Sequence, residues 1–376
     1  MARYDYIITG AGAAGLSLLV HMLRSGKFSD KKILLLDKAP KTNNDRTWCF
    51  WEKEPGLFEE IVHKRWNKLA FHGNGYDNVS DIFPYNYKLV RGIDFYNYCF
   101  GIINSSANVT VKYGHVERCI SNGSSTRVIF NGEKIAAEYI FNSILFSTPK
   151  ADDEYWLLQH FKGWLIKTAE PAFDTGEATL MDFRVPQQYG TTFVYVMPFS
   201  ETEALVEYTL FSKNLLQDQE YNAGLKAYCS EWLQLEDYEV IEEERGVIPM
   251  TNHKFPVRQN NIINIGTAGG QTKASSGYTF RFIQKNSAAL VDALVKTGKP
   301  FIKGSLASRR FNKYDTTLLN ILYNNWMSGA EIFTILMKNN EMRDVLKFLD
   351  NETSVVEEIK LMRRLPALTF LRSALT

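Results

Sequence analysis

"YDYIITGAGAAGLSLLVHMLRSGKFSDKKILLLD", residues 4–37, carries three signals in a row. An apolar strand from Tyr4 to Thr9 runs into a glycine loop. An apolar helical pattern then covers Leu16 to Leu23 and stops at Ser25-Gly26, and a second strand ends at Asp37. Such a βαβ crossover is almost always right-handed and sets its two strands parallel. Gly10, Gly12 and Gly15, with Ala13 and Ala14 between them, spell GxGxxG, and Asp37 follows Gly15 by roughly 20 residues. Glycines let a backbone approach a pyrophosphate, the helix N-terminus faces its charge, and the acid takes ribose hydroxyls. The segment predicts a dinucleotide site, and NAD and FAD share this fingerprint.

A late stretch separates the two cofactors. "NIINIGTAGGQTKASSGYTF", residues 261–280, places Gly266, Gly269 and Gly270 after a strand and Gly277 at the start of a helix. A flavin needs such a second contact, because its ribitol and ring extend well past the first βαβ unit. A helix N-terminus under the pyrimidine edge of the ring would favour the reduced, anionic form. FAD is therefore the predicted cofactor.

Between these motifs the pattern changes. The segments ATLMDFRV (178–185), TTFVYVMPF (191–199) and EALVEYTLF (203–211) are strand-like and separated by polar turns, which predicts an antiparallel sheet. Helices are expected at about 221–233 and 278–296, the second ended by Gly298 and Pro300. Beyond residue 300 the chain reads mostly as helix, with Leu319, Leu322, Tyr323, Trp326, Phe333 and Met337 near one face. The expected fold is α/β: an FAD-binding Rossmann-like domain (1–62, 86–150 and 245–300), an inserted antiparallel-sheet substrate-binding domain (63–85 and 151–244), and a C-terminal helical region (301–376).

A net charge of +1 in 376 residues gives no electrostatic basis for binding nucleic acid. Cys49, Cys99, Cys119 and Cys229 form no CxxC pair, and no metal-ligand spacing accompanies His21 or His253, so no metal site is expected. The chain starts a strand almost at once, which leaves no room for a signal peptide and predicts a cytoplasmic protein. No run is long enough to cross a bilayer. Oligomeric state is not legible.

The order of further motifs resembles one family, the flavoprotein lycopene β-cyclases. DRTWCFWE (45–52) resembles the segment after the dinucleotide fingerprint, and MDFR (181–184) followed by FVYVMPFS (193–200) resembles the central pattern. LVEYTLFS (205–212) resembles the acidic catalytic motif, and GVIPM (246–250) and GTAGGQTKASSGYTF (266–280) resemble the last flavin-contacting stretches. Two departures stand out. Flavin hydroxylases usually carry Gly-Asp where this chain has Gly266-Thr267, and the acidic motif holds one glutamate, Glu207, where plant members have two.

The resemblance implies conversion of lycopene through γ-carotene to β-carotene, with reduced FAD required, NAD(P)H as reductant, and no net redox change. Ring closure is acid catalysis on an alkene. A proton adds to the terminal double bond, the neighbouring double bond attacks the cation, and the ring loses a proton. The acid must be protonated at neutral pH although free glutamate titrates near ~4.3. Burial against apolar walls raises it. Glu207 is the expected acid and Asp182 a second candidate, whereas the Glu242-Glu243-Glu244 run reads as a solvated face. Water would trap the cation, so aromatic faces, each worth about 2 kcal/mol when desolvated, should replace it. Trp48, Phe50, Trp51, Tyr195 and Tyr208 are the lining candidates, and Arg46 a cofactor contact. The bound flavin could supply negative charge near the cation or act as acid or base. The substrates are dissolved in lipid, so the enzyme should sit peripherally on the cytoplasmic membrane, its contact expected around Leu319, Trp326 and Phe333. A flavin monooxygenase or prenyl-chain reductase on the same scaffold, and a non-enzymatic prenyl-lipid carrier of the escort type, are the alternatives.

Overall fold

The structure, a computed structural model, describes residues 3–122, 125–147 and 154–375. The first βαβ unit forms as expected. The strand Arg3–Thr9 pairs in parallel with Ile33–Asp37, and the helix between them runs over Ala13–Arg24. Every residue of Ile33–Asp37 is buried, which is why its sequence is a continuous apolar run rather than an alternation. The sheet orders Arg258–Gln259, Ile262–Asn264, Glu133–Asn142, Arg3–Thr9, Ile33–Asp37 and Val109–Tyr113, with a hairpin of Val116–Ser121 and Thr126–Phe130 paired beside Glu133–Asn142. Leu16, Leu19 and Val20 of the first helix pack with Ile8, Leu35 and, from the helix Phe280–Thr297, Ile283 and Leu290.

A second sheet of seven strands runs Glu239–Thr251, Trp156–Lys167, Glu203–Ser212, Thr191–Pro198, Glu177–Asp182, Lys68–Gly73 and Tyr76–Asp81. All of its pairs are antiparallel except Lys68–Gly73 with Glu177–Asp182. Successive side chains leave a strand on opposite faces, and here the two faces have different neighbours. Ala204, Val206, Tyr208 and Leu210 meet the helix Asp218–Glu231 through Leu225, Tyr228 and Cys229. Leu205 and Phe211, with Phe193 and Tyr195 of the next strand, turn inward to a larger core. A small sheet of Thr47–Glu52, Asn86–Arg91 and Lys64–Trp66 bridges the layers. Its Trp51, Trp66 and Tyr87 belong to the core of the seven-stranded sheet, while Phe50 and Val90 belong to that of the βαβ unit.

Five helices close the chain: Leu306–Tyr323, Gly329–Lys338, Met342–Leu349, Val355–Met362 and Ala367–Leu375. Ser305, Ser328 and Ser354 each accept the backbone N–H three residues on, so the first, second and fourth of these helices begin on a serine cap. Leu319, Phe333 and Met337 are buried in the core they share with Phe71, Leu180 and Phe183. The apolar stripe expected to touch a membrane is instead packed on the sheet; both uses need the same helical spacing. Exposed apolar side chains of these helices include Leu306 at 80%, Val356 at 77% and Leu368 at 86%. No helix among the described residues is long and apolar enough to cross a membrane.

Candidate functional site

A cavity of about 440 Å³ opens where the βαβ unit, the small sheet and the seven-stranded sheet meet. Gly12, Ala13 and Ala14 line one wall, Gly266 and Thr267 with Ser276 to Phe280 a second, and Gln159, Phe161, Tyr195, Glu207 and Glu244 a third. Arg46, Trp48 and Cys49 form the corner between them.

The glycine loop is built for close approach. Gly10 has φ +94°, and a Cβ there would lie 2.2 Å from Ser143 Oγ. A Cβ on Gly15 would lie 1.9 Å from Gly10 O, so this glycine lets the helix seat on the strand. Gly12 differs: a Cβ there meets nothing within 4 Å and would project toward the space a pyrophosphate needs. Asp37 is buried, its Oδ2 accepting the Ala11 N–H at 2.5 Å and its Oδ1 lying 3.3 Å from Lys41 Nζ. It braces the loop from behind, and Lys41 rather than Asp37 reaches the cavity wall.

The helices Ala13–Arg24 and Phe280–Thr297 both begin at the cavity without a side-chain cap, so their first N–H groups are left for a ligand. Ser276 Oγ and Gln159 Oε1 are buried beside them with no partner among the described residues. Gly277 sits at φ +69°, and a Cβ would lie 1.9 Å from Gln159 Oε1. Gly266 and Gly270 also take positive φ. A Cβ on Gly269 would lie 2.2 Å from the Asn264 carbonyl oxygen, a backbone packing role, and Gly269 does not line the cavity. Two uncapped helix N-termini, an open Gly12 and orphaned polar atoms fit an elongated anionic dinucleotide that would run from the glycine loop to the start of the helix Phe280–Thr297.

The acidic wall follows from strand register. Glu207 stands opposite Tyr195 on one side and Gly163 on the other, and Gly163 in turn stands opposite Glu244. Glu207 is half-buried on the cavity wall, and burial first, then hydrogen bonding and charge from Glu244, push its carboxyl well above the usual glutamate range. Burial likewise raises Cys49, Tyr87, Tyr195 and Tyr278 nearby, so these four groups stay neutral. Among the described residues no Lys, Arg or His pairs with Glu207.

Other expected residues lie elsewhere. Asp182 is fully buried, receives two hydrogen bonds from the Arg184 guanidinium and one from Tyr228, and lines none of the cavity; it is a structural carboxylate held by its cation. Tyr208 faces the helix Asp218–Glu231, because it neighbours Glu207 on a strand that alternates. Trp51 is core, its Nε1 donating to Leu346 O, and Phe50 stacks on Phe280 with centroids 4.7 Å apart. Trp48 does line the cavity, edge-on to Phe95. Arg46 is exposed at its rim, donating to the Asp45 and Arg245 carbonyls. Sequence missed Glu244. Its neighbours Glu242 and Glu243 are exposed, and a run of three like charges reads as one solvated face although successive members of a strand face opposite ways. His21 meets Gln284 and His253 pairs with Glu154, both away from the cavity.

A family model described as lycopene cyclase protein matches residues 5–375. A neoxanthin synthase of Solanum tuberosum is 27% identical over 320 residues, covering 78% of this chain and 61% of its own length. A lycopene beta-cyclase of Pantoea ananas is 25% identical over 288 residues, 74% of this chain and 71% of that protein. The chain thus spans about 61% of the length of the plant relative. A geranylgeranyl bacteriochlorophyll reductase-like protein from Thermoplasma acidophilum superposes with TM-score 0.69 at 13% identity over 99% of this chain and 98% of its own. A flavin-dependent brominase superposes with TM-score 0.62 at 13% identity, over 93% of this chain and 94% of its own. The fold is the Rossmann-type α/β architecture of these proteins, and the chain belongs to the lycopene cyclase protein family.

Proposed function

We propose that this protein is a lycopene β-cyclase that closes the ψ-ends of lycopene, through γ-carotene, into β-rings without net redox change. The observation that carries this is Glu207: a half-buried glutamate on the wall of the cavity that the glycine loop also lines, beside Tyr195 and Glu244, with no cation partner among the described residues and a carboxyl that burial pushes well above the usual glutamate range. A hydroxylase or reductase has no need of such an acid. Family membership and the relative named a lycopene beta-cyclase support the same reading.

FAD is the group the cradle fits, and Gly12 to Ala14, Arg46, Gly266 and the N–H groups at Gly277 to Phe280 would hold it; in the reduced form it would supply negative charge at the site, with NAD(P)H as the proposed electron source. The remaining steps belong to the protein. Glu207 gives its proton to the terminal double bond, so its O–H bond breaks as a C–H bond forms. Tyr195 and Trp48 present aromatic faces where water would otherwise trap the cation. The second double bond closes the ring, and a ring C–H gives its proton to a carboxylate of the same wall. Substrate is product's isomer, and no oxidant or reductant is consumed.

The enzyme acts from the cytoplasmic surface of the membrane that dissolves its substrate. Anaerobic incubation of the purified protein with lycopene liposomes and reduced FAD tests the reaction. A product of unchanged mass, formed only with reduced FAD, supports cyclisation, whereas one heavier by oxygen or by two hydrogens identifies a monooxygenase or reductase.

A further inference from the structure

We infer that Glu207 and Glu244 form a two-carboxylate unit sharing one proton across the gap left by Gly163, and that Glu244 is a second catalytic residue of the ring closure. This rests on the cyclase reading above. The geometry is a row across four strands: Tyr195, Glu207, Gly163 and Glu244 lie in register on one face. A Cβ on Gly163 would lie 3.0 Å from Glu207 Cγ and 3.0 Å from Glu244 Cγ. The two glutamates therefore flank one point, and any side chain at Gly163 would force them apart. Glycine weakens a strand interior, so its presence in the middle of a twelve-residue strand calls for such a reason.

The two carboxyl groups are not equivalent. Thr47 Oγ1 donates to Glu244 Oε2 at 2.6 Å, while Glu244 Oε1 is buried and has no donor among the described residues. A protonated Glu207 is the neighbour able to supply one. Two carboxylates at such range cannot both ionise cheaply, and the pair retains a proton at neutral pH. Cys49, Tyr87, Tyr195 and Tyr278 face the pair from other elements and are all pushed upward by burial, so none of these four competes for the change of charge. On its far side Glu244 borders a second cavity lined also by His63, Lys64 and Arg91, where burial first holds His63 below the usual imidazole range. Arg245, next along the strand, turns away to pair with Asp218, and Glu243 pairs with Lys162.

The chemistry balances on this pair. Its single proton leaves Glu207 to form the new C–H bond, so the pair gains one negative charge as the carbon skeleton gains one positive charge. When the ring C–H bond breaks, its electrons form the ring double bond and the proton returns to the pair. Glu244 makes this return favourable, because two adjacent carboxylates bind a proton more tightly than one. Gly163 and Thr47 are positioning residues.

The experiment is a pH titration of the flavin-loaded protein by infrared spectroscopy of isotopically labelled glutamate, alongside single-turnover ring formation. Wild type should show a protonated carboxyl band that persists above the ordinary glutamate range, absent in Glu207→Gln. Glu244→Gln keeps the shape and an acceptor for Thr47, and should lower the pH at which the band disappears by roughly one unit. It should also slow ring formation at least about tenfold with flavin retention unchanged. Gly163→Ala should lower that pH in the same direction by parting the pair. A band and rate unmoved in Glu244→Gln would overturn the shared proton. The band needs no lycopene, so wild type that shows it but forms no rings refutes the cyclase reading alone.

Discussion

Glu207→Gln should leave a folded, flavin-retaining protein whose ring formation falls by ~10²–10⁴-fold, while Glu207→Asp keeps part of the rate. The same residue makes an opposite forecast for stability. In the folded chain burial pushes the Glu207 carboxyl well above its usual range, whereas the unfolded chain releases its proton near ~4.3. Its contribution to stability is complete below that pH and is lost as pH rises through the raised folded value. Glu207→Gln should therefore melt higher than wild type at neutral and alkaline pH and show little difference near pH 4, readable by calorimetry. Asp182 responds differently. Asp182→Asn leaves the Arg184 guanidinium without its charge partner, and should cost roughly 3 kcal/mol in denaturant unfolding while the surviving folded protein still cyclises. A large loss of turnover without a loss of stability would return Asp182 to the chemistry.

At the scale of elements, two glycines of one motif should fail in different ways. Gly12→Val should fold and lose flavin, because its side chain enters open space, whereas Gly15→Ala should destabilise the unit itself against the Gly10 carbonyl. Flavin absorbance after gel filtration, set beside the melting temperature, separates the two. The βαβ unit was legible because strand, glycine loop, helix and acid coincide within residues 4–37. The strands Trp156–Lys167 and Glu239–Thr251 were not, although they carry half of the acidic wall. Gln159, His160 and Lys162 interrupt the alternation of the first, and the acid run 242–244 that of the second; neighbouring elements, which no local pattern encodes, bury the first three and pair the second strand with the first. Register is also what sorts Glu207 from Tyr208. Alternation told that they face apart, but only the neighbouring helix shows which face is the cavity.

For the whole molecule, the C-terminal helices replace the expected membrane contact with a core, and the apolar side chains left outside include Leu306, Val356, Ile359, Leu368, Leu371 and Leu375. If the protein works at a lipid surface, replacing Leu368 and Leu371 by Ser should weaken liposome flotation with little change in melting temperature; unchanged flotation would place the contact elsewhere. The central claim is proton transfer from a buried carboxyl to an alkene, with no hydride and no oxygen. It is tested most directly by single-turnover cyclisation in D₂O under anaerobic, reducing conditions, with the product mass read by high-resolution spectrometry. One deuterium retained in the first ring formed, at otherwise unchanged composition, is the predicted result; a product without deuterium, or one that has gained two hydrogens or an oxygen, would contradict it.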